Sequence, residues 1–362
     1  MFSGLQRRIV WLVWAFALFG LLACGARSQT VVMPLVDRSG VTVYRDAVEH
    51  AIDDATVSID VLLSSLDPEE NPLVDALVEA QARGAAVRVL IDTSDWSADI
   101  REKGDRAVTE LLRLGLDARL DRPDVTTHAK LVIIDREIAI LGSTNWNHYA
   151  FTEHAQANVR IDDPAIGAAF AEAFDRLWDG RATAGEADLD FGTAFAASSA
   201  ILPLLDADGS ALYGRLLLDL LPRATTSIHL AMYRMSIYPD YPDSLTNELV
   251  AELVAAAGRG VEVQVLLDDC RFYPDSAEAN LSSAITLHQR GIEVRLDEPG
   301  DTMHAKMLVV DGTSVVLGST NWNYYSLENN VEANVAFLSI PEVAEAYDAF
   351  FQLLWQEGRG LY

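Results

Sequence analysis

The chain alternates between short apolar runs rich in Val, Ile and Leu and longer segments whose apolar residues lie three or four positions apart. Runs of the first kind indicate buried strands, and segments of the second kind indicate amphipathic helices. In the first half, the pattern predicts strands at 57–63, 87–91, 131–134, 138–141 and 158–161. It predicts helices at 72–83, 105–114 and 164–178, the first with Asn71 as N-cap and Pro72 in its first turn.

The same order of elements returns in the second half. Strands are predicted at 228–232, 261–267, 307–310, 315–317 and 334–337, and helices at 245–257, 277–289 and 341–356. Most matching blocks lie 176 residues apart, as one duplicated unit would leave them. We therefore expect an α/β protein of two tandem domains, 24–182 and 200–362, each a mixed sheet flanked by helices. A stretch rich in Ala, Gly, Ser and Thr at 183–199 is the expected linker.

The first 24 residues have the pattern of an export signal. Arg7 and Arg8 precede an apolar run at 9–23, which is shorter than the ~20 residues of a comfortable membrane span. The run ends in Leu-Leu-Ala-Cys24, which resembles the lipobox of bacterial lipoproteins. That resemblance implies removal of 1–23, lipidation of Cys24 and a protein anchored to a membrane outside the cytoplasm. The alternative is an uncleaved signal anchor, which gives the same extracytoplasmic location.

Charge narrows the range of functions. The chain has 54 acidic and 27 basic residues and a formal charge of −27. Such an acidic chain is poorly suited to non-specific binding of polyanions, which depends on Lys and Arg. Only three basic residues are lysines, Lys103, Lys130 and Lys306, and the last two each lie two positions after a histidine in a repeated motif.

The repeated motif is His-x-Lys-x4-Asp, followed seven residues later by Gly-Ser-Thr-Asn. Its copies contain His128, Lys130 and Asp135, and His304, Lys306 and Asp311. Residues two apart on a strand point to the same side, so each copy sets an imidazole beside an ammonium group. This arrangement suits an anionic phosphodiester, because ammonium groups offset its charge and imidazole can act as nucleophile or acid near neutral pH. A cation inside the motif disfavours a metal site.

These paired motifs resemble those of the phospholipase D superfamily, and the resemblance extends over both halves. It implies two halves packed about a pseudo-dyad, with one active site at their interface. It also implies a covalent phosphohistidine, a second histidine that protonates the leaving alcohol and then activates water or an acceptor alcohol, and no metal or cofactor. We expect Ser143, Asn145, Ser319 and Asn321 to lie near the phosphate, although a simple turn is as good an interpretation of the serines. Within the catalytic motifs, Asp135 and Asp311 are expected to support the site or the fold rather than to carry protons.

One position distinguishes the two copies. Glu332 follows His304 by 28 residues, and Gln156 follows His128 by the same number. A carboxylate on the Nδ1 atom of an imidazole stabilises a cationic ring better than an amide does. In superfamily members with this pair, the resemblance implies that the carboxylate reaches across the pseudo-dyad to the other half. We therefore expect His128 to be the nucleophile and His304 the acid and base.

The superfamily includes phospholipases, cardiolipin synthases and nucleases, so the motif leaves the substrate open. We expect hydrolysis or transfer of a phospholipid, because the chain is acidic, has the signal described above and carries aromatic residues beside the motifs. These residues are Trp146, Tyr233, Tyr238, Tyr241, Phe272, Tyr273 and Trp322.

Two other functions stay open. An extracytoplasmic nuclease would be supported by a basic rim around the cleft, for which the candidates are Arg119, Arg122, Arg271 and Arg295. A non-catalytic phospholipid-binding lipoprotein is disfavoured because neither motif is degraded. The sequence implies no obligate protein partner.

Overall fold

The computed structural model describes residues 30–93, 97–181, 191–207, 209–269 and 272–361. The expected signal at 1–23, the lipidation site Cys24, residues 183–190 of the expected linker and Arg271 lie outside the described residues. In the described ranges, no helix is both long enough and apolar enough to span a membrane.

The first half is a seven-stranded mixed sheet with helices packed against it. Its strands are β1 (Val31–Asp37), β2 (Ser58–Leu63), β3 (Ala86–Ile91), β4 (Asp117–Leu120), β5 (Lys130–Ile134), β6 (Ile138–Gly142) and β7 (Gln156–Asp162). Its helices are α1 (Val43–Asp54), α2 (Pro72–Arg83), α3 (Ala98–Arg113), α4 (His148–Thr152) and α5 (Pro164–Trp178). The strand order is β1-β7-β6-β5-β2-β3-β4, and only the pairs within β2-β3-β4 are parallel.

The second half repeats this sheet with one extra edge strand. Its strands are β8 (Ala200–Asp206), β9 (Ser227–Met232), β10 (Glu262–Leu267), β11 (Glu293–Leu296), β12 (Lys306–Val310), β13 (Ser314–Gly318), β14 (Glu332–Leu338) and β15 (Arg359–Gly360). Its helices are α6 (Phe191–Ala196), α7 (Leu212–Leu220), α8 (Leu245–Gly258), α9 (Pro274–Gln289), α10 (Tyr324–Glu328) and α11 (Pro341–Glu357). The strand order is β15-β11-β10-β9-β12-β13-β14-β8, so the expected duplicated α/β architecture is confirmed.

The local sequence explains the boundaries of α2. The side chain of Asn71 accepts a hydrogen bond from the backbone N–H of Leu73, and Pro72 occupies the first turn. The helix ends at Gly84, whose φ of 107° lies in the left-handed region that glycine adopts without strain. The Asn-Pro start and the glycine end were both readable from the sequence.

The pattern missed the first strand of each half with the helix that follows it, the short strand before each motif, the short helix after each Gly-Ser-Thr-Asn segment and the last strand. These elements are β1, α1, β4 and α4 in the first half and β8, α7, β11, α10 and β15 in the second. Both first strands are sheet edges interrupted by a proline, Pro34 and Pro203, which weakens a strand pattern. The expected linker also contains a short helix, α6.

The two halves share one hydrophobic core. Leu131, Val159 and Phe170 of the first half belong to the same buried cluster as Val335 and Tyr347 of the second half. The expected core positions of the tryptophans in the closing helices are confirmed, since Trp178 and Trp355 are buried in that cluster.

Main-chain hydrogen bonds cross the pseudo-dyad beside each motif histidine. The backbone N–H of His128 donates to Val331 O at 2.8 Å, and the N–H of Val331 donates to Thr126 O at 2.8 Å. The equivalent bonds run from His304 N–H to Ala155 O at 2.8 Å and from Ala155 N–H to Thr302 O at 2.9 Å. Each histidine is therefore fixed against the other half of the chain.

The interpretation of Trp146 and Trp322 as interfacial aromatic residues is wrong. Both side chains are fully buried, and each indole N–H donates at 3.1 Å to a buried tyrosine hydroxyl, Tyr44 or Tyr213. A tryptophan that has a hydrogen-bond partner inside the protein is a stable core residue. These two therefore belong to the cores of their own halves.

The aspartate of each motif stabilises the fold at a distance from the histidine. Asp135 lies just beyond β5, about 17 Å along the strand from Lys130. Its carboxylate accepts hydrogen bonds from the backbone N–H groups of Thr56, Val57 and Ser58, where β2 begins. Asp311 accepts the same set of bonds from residues 225–227. This placement agrees with a supporting role and keeps both carboxylates away from the histidines.

Replacing Asp135 with Ala should lower the free energy of unfolding by about 2 kcal/mol, because three backbone donors lose a charged acceptor. Partial burial raises the pKa of Asp135, but the backbone hydrogen bonds outweigh this effect and bring the pKa below 3.8. The contribution is therefore present above pH 3.8 and is lost as the pH falls through the lowered pKa. Urea denaturation of parent and variant should show a difference at neutral pH that shrinks in strong acid. A difference that is the same at both pH values would contradict this assignment.

Candidate active site

The two motif histidines meet at the interface of the halves, and each is held by a side chain from the opposite half. The Nδ1 atom of His128 lies 3.0 Å from both carboxylate oxygens of Glu332. The Nδ1 atom of His304 lies 2.9 Å from Ser143 O and 3.2 Å from Gln156 Oε1. The expectation that Glu332 reaches across the pseudo-dyad to His128 is confirmed.

These contacts fix the tautomers. A carboxylate and a backbone carbonyl can only accept, so the Nδ1 atom of each ring carries the proton and donates it. The Nε2 atom of each neutral imidazole then holds a lone pair and is the ring atom left for chemistry. Both rings are thereby oriented before any substrate binds.

The serines of the Gly-Ser-Thr-Asn segments orient the side chains that hold the histidines. Ser143 Oγ donates to Gln156 Oε1 at 2.6 Å, and Ser319 Oγ donates to Glu332 Oε2. Asn330 Nδ2 also donates to Glu332, at 3.2 Å. Both serine side chains are fully buried, so the expectation that they lie near the phosphate is replaced by a role behind the imidazoles.

The two motif lysines are buried next to the histidines. Lys130 Nζ donates to the backbone carbonyl of His128 and, at 2.9 Å, to Ser64 Oγ. Lys306 Nζ donates to His304 O at 2.6 Å and lies 4.6 Å from the centre of the Tyr233 ring. Alternation along the strands thus places each ammonium group beside its imidazole, as the motif predicted.

The two motif asparagines have different surroundings. Asn145 Oδ1 accepts a hydrogen bond from Ser64 Oγ at 2.8 Å, which links it to Lys130. The Oδ1 atom of Asn321 is buried, and no hydrogen-bond partner for it occurs among the described residues. Tyr233 stands in the second half where Ser64 stands in the first, and its ring centre lies 4.5 Å from that of His304. The half that carries His304 therefore has an aromatic wall where the other half has a hydroxyl.

Comparison with known proteins assigns the family. The sequence pattern described as "Cardiolipin synthase, PLD-like domain" matches residues 48–178 and 217–355, one match in each half. The chain belongs to this phospholipase D-like family.

Individual members resemble parts or all of the chain. A mitochondrial cardiolipin hydrolase from Xenopus tropicalis is 34% identical over 145 residues, 40% of this chain and 61% of that protein. A phospholipase D from Rickettsia conorii is 32% identical over 106 residues, 29% of this chain and 48% of that protein. The chain thus spans about half to three-fifths of the length of these relatives. Phosphatidylserine synthase from Haemophilus influenzae Rd KW20 has the same fold, with a TM-score of 0.69 at 14% identity over 98% of this chain and 92% of that one.

Burial and neighbouring charge lower the pKa values of the groups in this phospholipase D-like site. Burial lowers the pKa of His128, and the charge of Glu332 opposes this effect. Burial, together with Lys306 and the other cations of the site, brings the pKa of His304 well below 6.5. Burial also lowers the pKa of Lys130 to about 8. A bound anion would favour the charged forms of all three groups.

A pair of carboxyl groups holds the backbone just before each histidine. Asp268 accepts from the N–H of Met303 at 2.7 Å, and Asp297 accepts from the same N–H at 3.1 Å. In the first half, Asp92 accepts from the N–H of Thr127 at 2.7 Å, with Asp121 beside it. Burial and the charge of Asp268 raise the pKa of Asp297 to about 9, so the second pair shares one proton at neutral pH.

Sequence reasoning missed several of these residues although signals for them exist. Ser64 directly follows β2, so extending the predicted strand by one residue would have found it. Tyr233, which follows β9, was expected among the aromatic residues of a lipid interface, and the structure places its ring beside His304. The carboxyl pairs lie within the blocks that revealed the duplication, but no pattern indicated that they meet. Among the described residues, no group of three or more His, Cys, Asp or Glu side chains is placed to hold a metal ion.

The shared proton makes stability depend on pH. In the unfolded chain Asp297 has the usual pKa of 3.8. The contribution of its proton to the free energy of unfolding is therefore fully present below pH 3.8 and is lost as the pH rises towards about 9. An Asp297→Asn variant carries no such proton and keeps one donor for Asp268. Its melting temperature should rise relative to the parent protein as the pH is raised from about 5 to about 9.

Asp53→Asn, a matched change on the exposed end of α1, is the control for the loss of one carboxylate. Thermal melts followed by circular dichroism give the measurement. A melting temperature of Asp297→Asn that stays a constant distance from the parent across this range would contradict the shared proton.

Proposed function

We propose that the protein is a phosphodiesterase of the phospholipase D type, which cleaves a phospholipid through a covalent phosphohistidine. The observation that carries the proposal is the contact of each imidazole with a side chain of the opposite half. Glu332 of the second half holds His128, and Gln156 of the first half holds His304, so both rings are fixed at the same interface between the halves.

His128 is the nucleophile in this proposal. Its Nδ1–H is held by a buried carboxylate, which stabilises the cationic ring that forms when Nε2 bonds to phosphorus. The neighbouring Lys130 and Lys306 offset the negative charge that the phosphoryl oxygens carry. The burial that lowers the pKa of His128 keeps Nε2 unprotonated and ready to attack near neutral pH.

His304 is the acid and then the base. Its ring is held by a carbonyl and an amide, which supply less stabilisation to a lasting positive charge than a carboxylate does. The pKa of His304 is low in the free protein, and the anionic substrate raises it so that Nε2 gains a proton. That proton passes to the leaving oxygen. The neutral ring then takes a proton from water or an alcohol that attacks the phosphohistidine.

Exposed aromatic side chains support a lipid as the substrate. They lie in segments that follow β6, β9, β10 and β13 at the end of the sheets where the histidines lie. The most exposed are Tyr149, Tyr241, Phe272, Tyr273, Tyr324 and Tyr325. Amphipathic rings suit the boundary between water and lipid. The relatives named as cardiolipin hydrolase and phospholipase D support the same substrate class.

The three described candidates for a basic rim, which would favour a nuclease, are engaged in other contacts. Arg119 stacks 4.0 Å above the ring of Trp178, and Arg295 stacks 4.6 Å above that of Trp355. Arg122 forms an ion pair with Asp124 at 2.6 Å. Side chains engaged in this way, each also close to an acidic residue, are poor contacts for a nucleic-acid backbone.

The test supplies the protein with both kinds of phosphodiester. Vesicles that contain cardiolipin, phosphatidylglycerol and phosphatidylcholine are incubated with the protein in EDTA, and plasmid and single-stranded DNA are incubated in parallel. We expect release of phosphatidate or of a headgroup by the parent protein and at least a hundredfold slower release by His304→Asn, about the loss typical of a missing general acid. DNA cleavage with intact lipid would overturn the choice of substrate. No cleavage of either substrate would overturn the enzymatic function.

A further inference from the structure

A third imidazole stands beside the two motif histidines. The ring centre of His154 lies 6.0 Å from that of His304, and the side chain is partly exposed. It directly precedes Ala155, whose backbone forms the hydrogen bonds across the pseudo-dyad. The Nδ1 atom of His154 is buried and has no hydrogen-bond partner among the described residues. The exposed part of the side chain therefore lies away from Nδ1, on a ring that stands beside His304.

The second half has no such imidazole in the equivalent place. The counterpart of His154, 176 residues on, is Asn330, whose amide donates to Glu332. Gln156 needs no such donor, because its Oε1 atom already accepts from Ser143 and His304. In the second half this position thus supports the carboxylate behind His128, whereas in the first half it carries a second imidazole beside His304.

The side of the cleft on which His154 lies determines what it can touch. In a displacement at phosphorus, the entering and leaving atoms are roughly in line on opposite sides. With His128 as nucleophile, the leaving oxygen lies on the side of His304 and therefore next to His154. Burial, aided by the charge of Lys306, lowers the pKa of His154 to about 4. The ring is neutral near pH 7 and its Nδ1 atom is buried, so in the Nε2–H tautomer it offers one N–H donor to an oxygen without competing as an acid.

We propose that His154 binds the oxygen that leaves phosphorus, and then the water or alcohol that replaces it, and holds each against Nε2 of His304. This inference rests on the proposed function. In the first step the P–Nε2 bond of His128 forms, the P–O bond breaks, and the leaving oxygen takes the proton from His304. In the second step the acceptor oxygen bonds to phosphorus, the P–Nε2 bond breaks, and the acceptor proton passes to His304. His154 exchanges no proton in either step and selects the alcohol or water that occupies this position.

The test uses a His154→Asn variant, which installs the side chain of the equivalent position. Two reactions are measured on the same preparation. One is the formation of p-nitrophenol from bis(p-nitrophenyl) phosphate, whose leaving group needs neither protonation nor orientation. The other is the ratio of phosphatidylethanol to phosphatidate that forms from phosphatidylcholine vesicles in dilute ethanol. His50→Asn, the same change on the exposed face of α1, is the matched control.

We expect His154→Asn to release p-nitrophenol in the first turnover at a rate within about threefold of the parent, since the attack by His128 is unaffected. The ratio of alcohol to water products should change by about tenfold, the effect of one lost hydrogen bond on the acceptor. His50→Asn should match the parent in both reactions.

A product ratio equal to that of the parent would overturn the inference. An equal fall in the rate of p-nitrophenol release and in the rate of phospholipid cleavage would also overturn it, since a general structural defect slows both reactions together. A parent protein that cleaves neither substrate would instead overturn the proposed function on which the inference rests. The aryl substrate separates these outcomes, because it reports phosphohistidine formation without any use of His154.

Discussion

The site depends on main-chain hydrogen bonds between the two halves, one pair at Ala155 and one pair at Val331. In each pair of bonds, the residue just before Gln156 or Glu332 is joined to the segment that contains the motif histidine of the other half. Gln156 and Glu332, which directly follow the bonded residues, therefore reach the imidazole of the other half. Neither half contains a complete arrangement, and a shift of one half against the other would separate both rings from their supports. Groups held in place before the reaction cost no reorganisation during it, which is how such a site lowers a barrier.

The two halves are copies of one unit, and the residues that differ between the copies give the two histidines different roles. The interactions that hold the backbone are equivalent in both halves: the main-chain hydrogen bonds across the pseudo-dyad, the carboxyl pairs and the motif aspartates. The positions around the imidazoles differ, with Glu332 against Gln156, Asn330 against His154, and Tyr233 against Ser64. The symmetric set fixes geometry that both histidines need. The asymmetric set gives one imidazole a carboxylate for a lasting positive charge and the other a neutral environment for moving a proton.

Much of the fold could be predicted from the sequence, because buried parallel strands leave long apolar runs and because two copies of each pattern reinforce one another. The cross-contact of Glu332 with His128 was also predictable, although only through the family resemblance, since 204 residues separate them. The edge strand β1 was missed because it pairs on one side only and contains a proline. Trp146 was misplaced because its position next to the motif indicated the cleft, whereas its burial depends on Tyr44, which lies in an unpredicted helix. The carboxyl pairs and the role of His154 could not be predicted, because they depend on contacts between residues far apart in the chain, which no local pattern encodes.

The most direct test of the account is to identify the residue that becomes covalently bound to phosphorus. The protein is mixed with bis(p-nitrophenyl) phosphate, quenched in base within the first turnover and digested, and the phosphorylated peptide is identified by mass spectrometry. We expect an adduct on His128 in the parent and in His304→Asn, where it should accumulate because no base activates water, and none in His128→Asn. An adduct on His304 in the His128→Asn variant, or an active protein that forms no adduct, would contradict it.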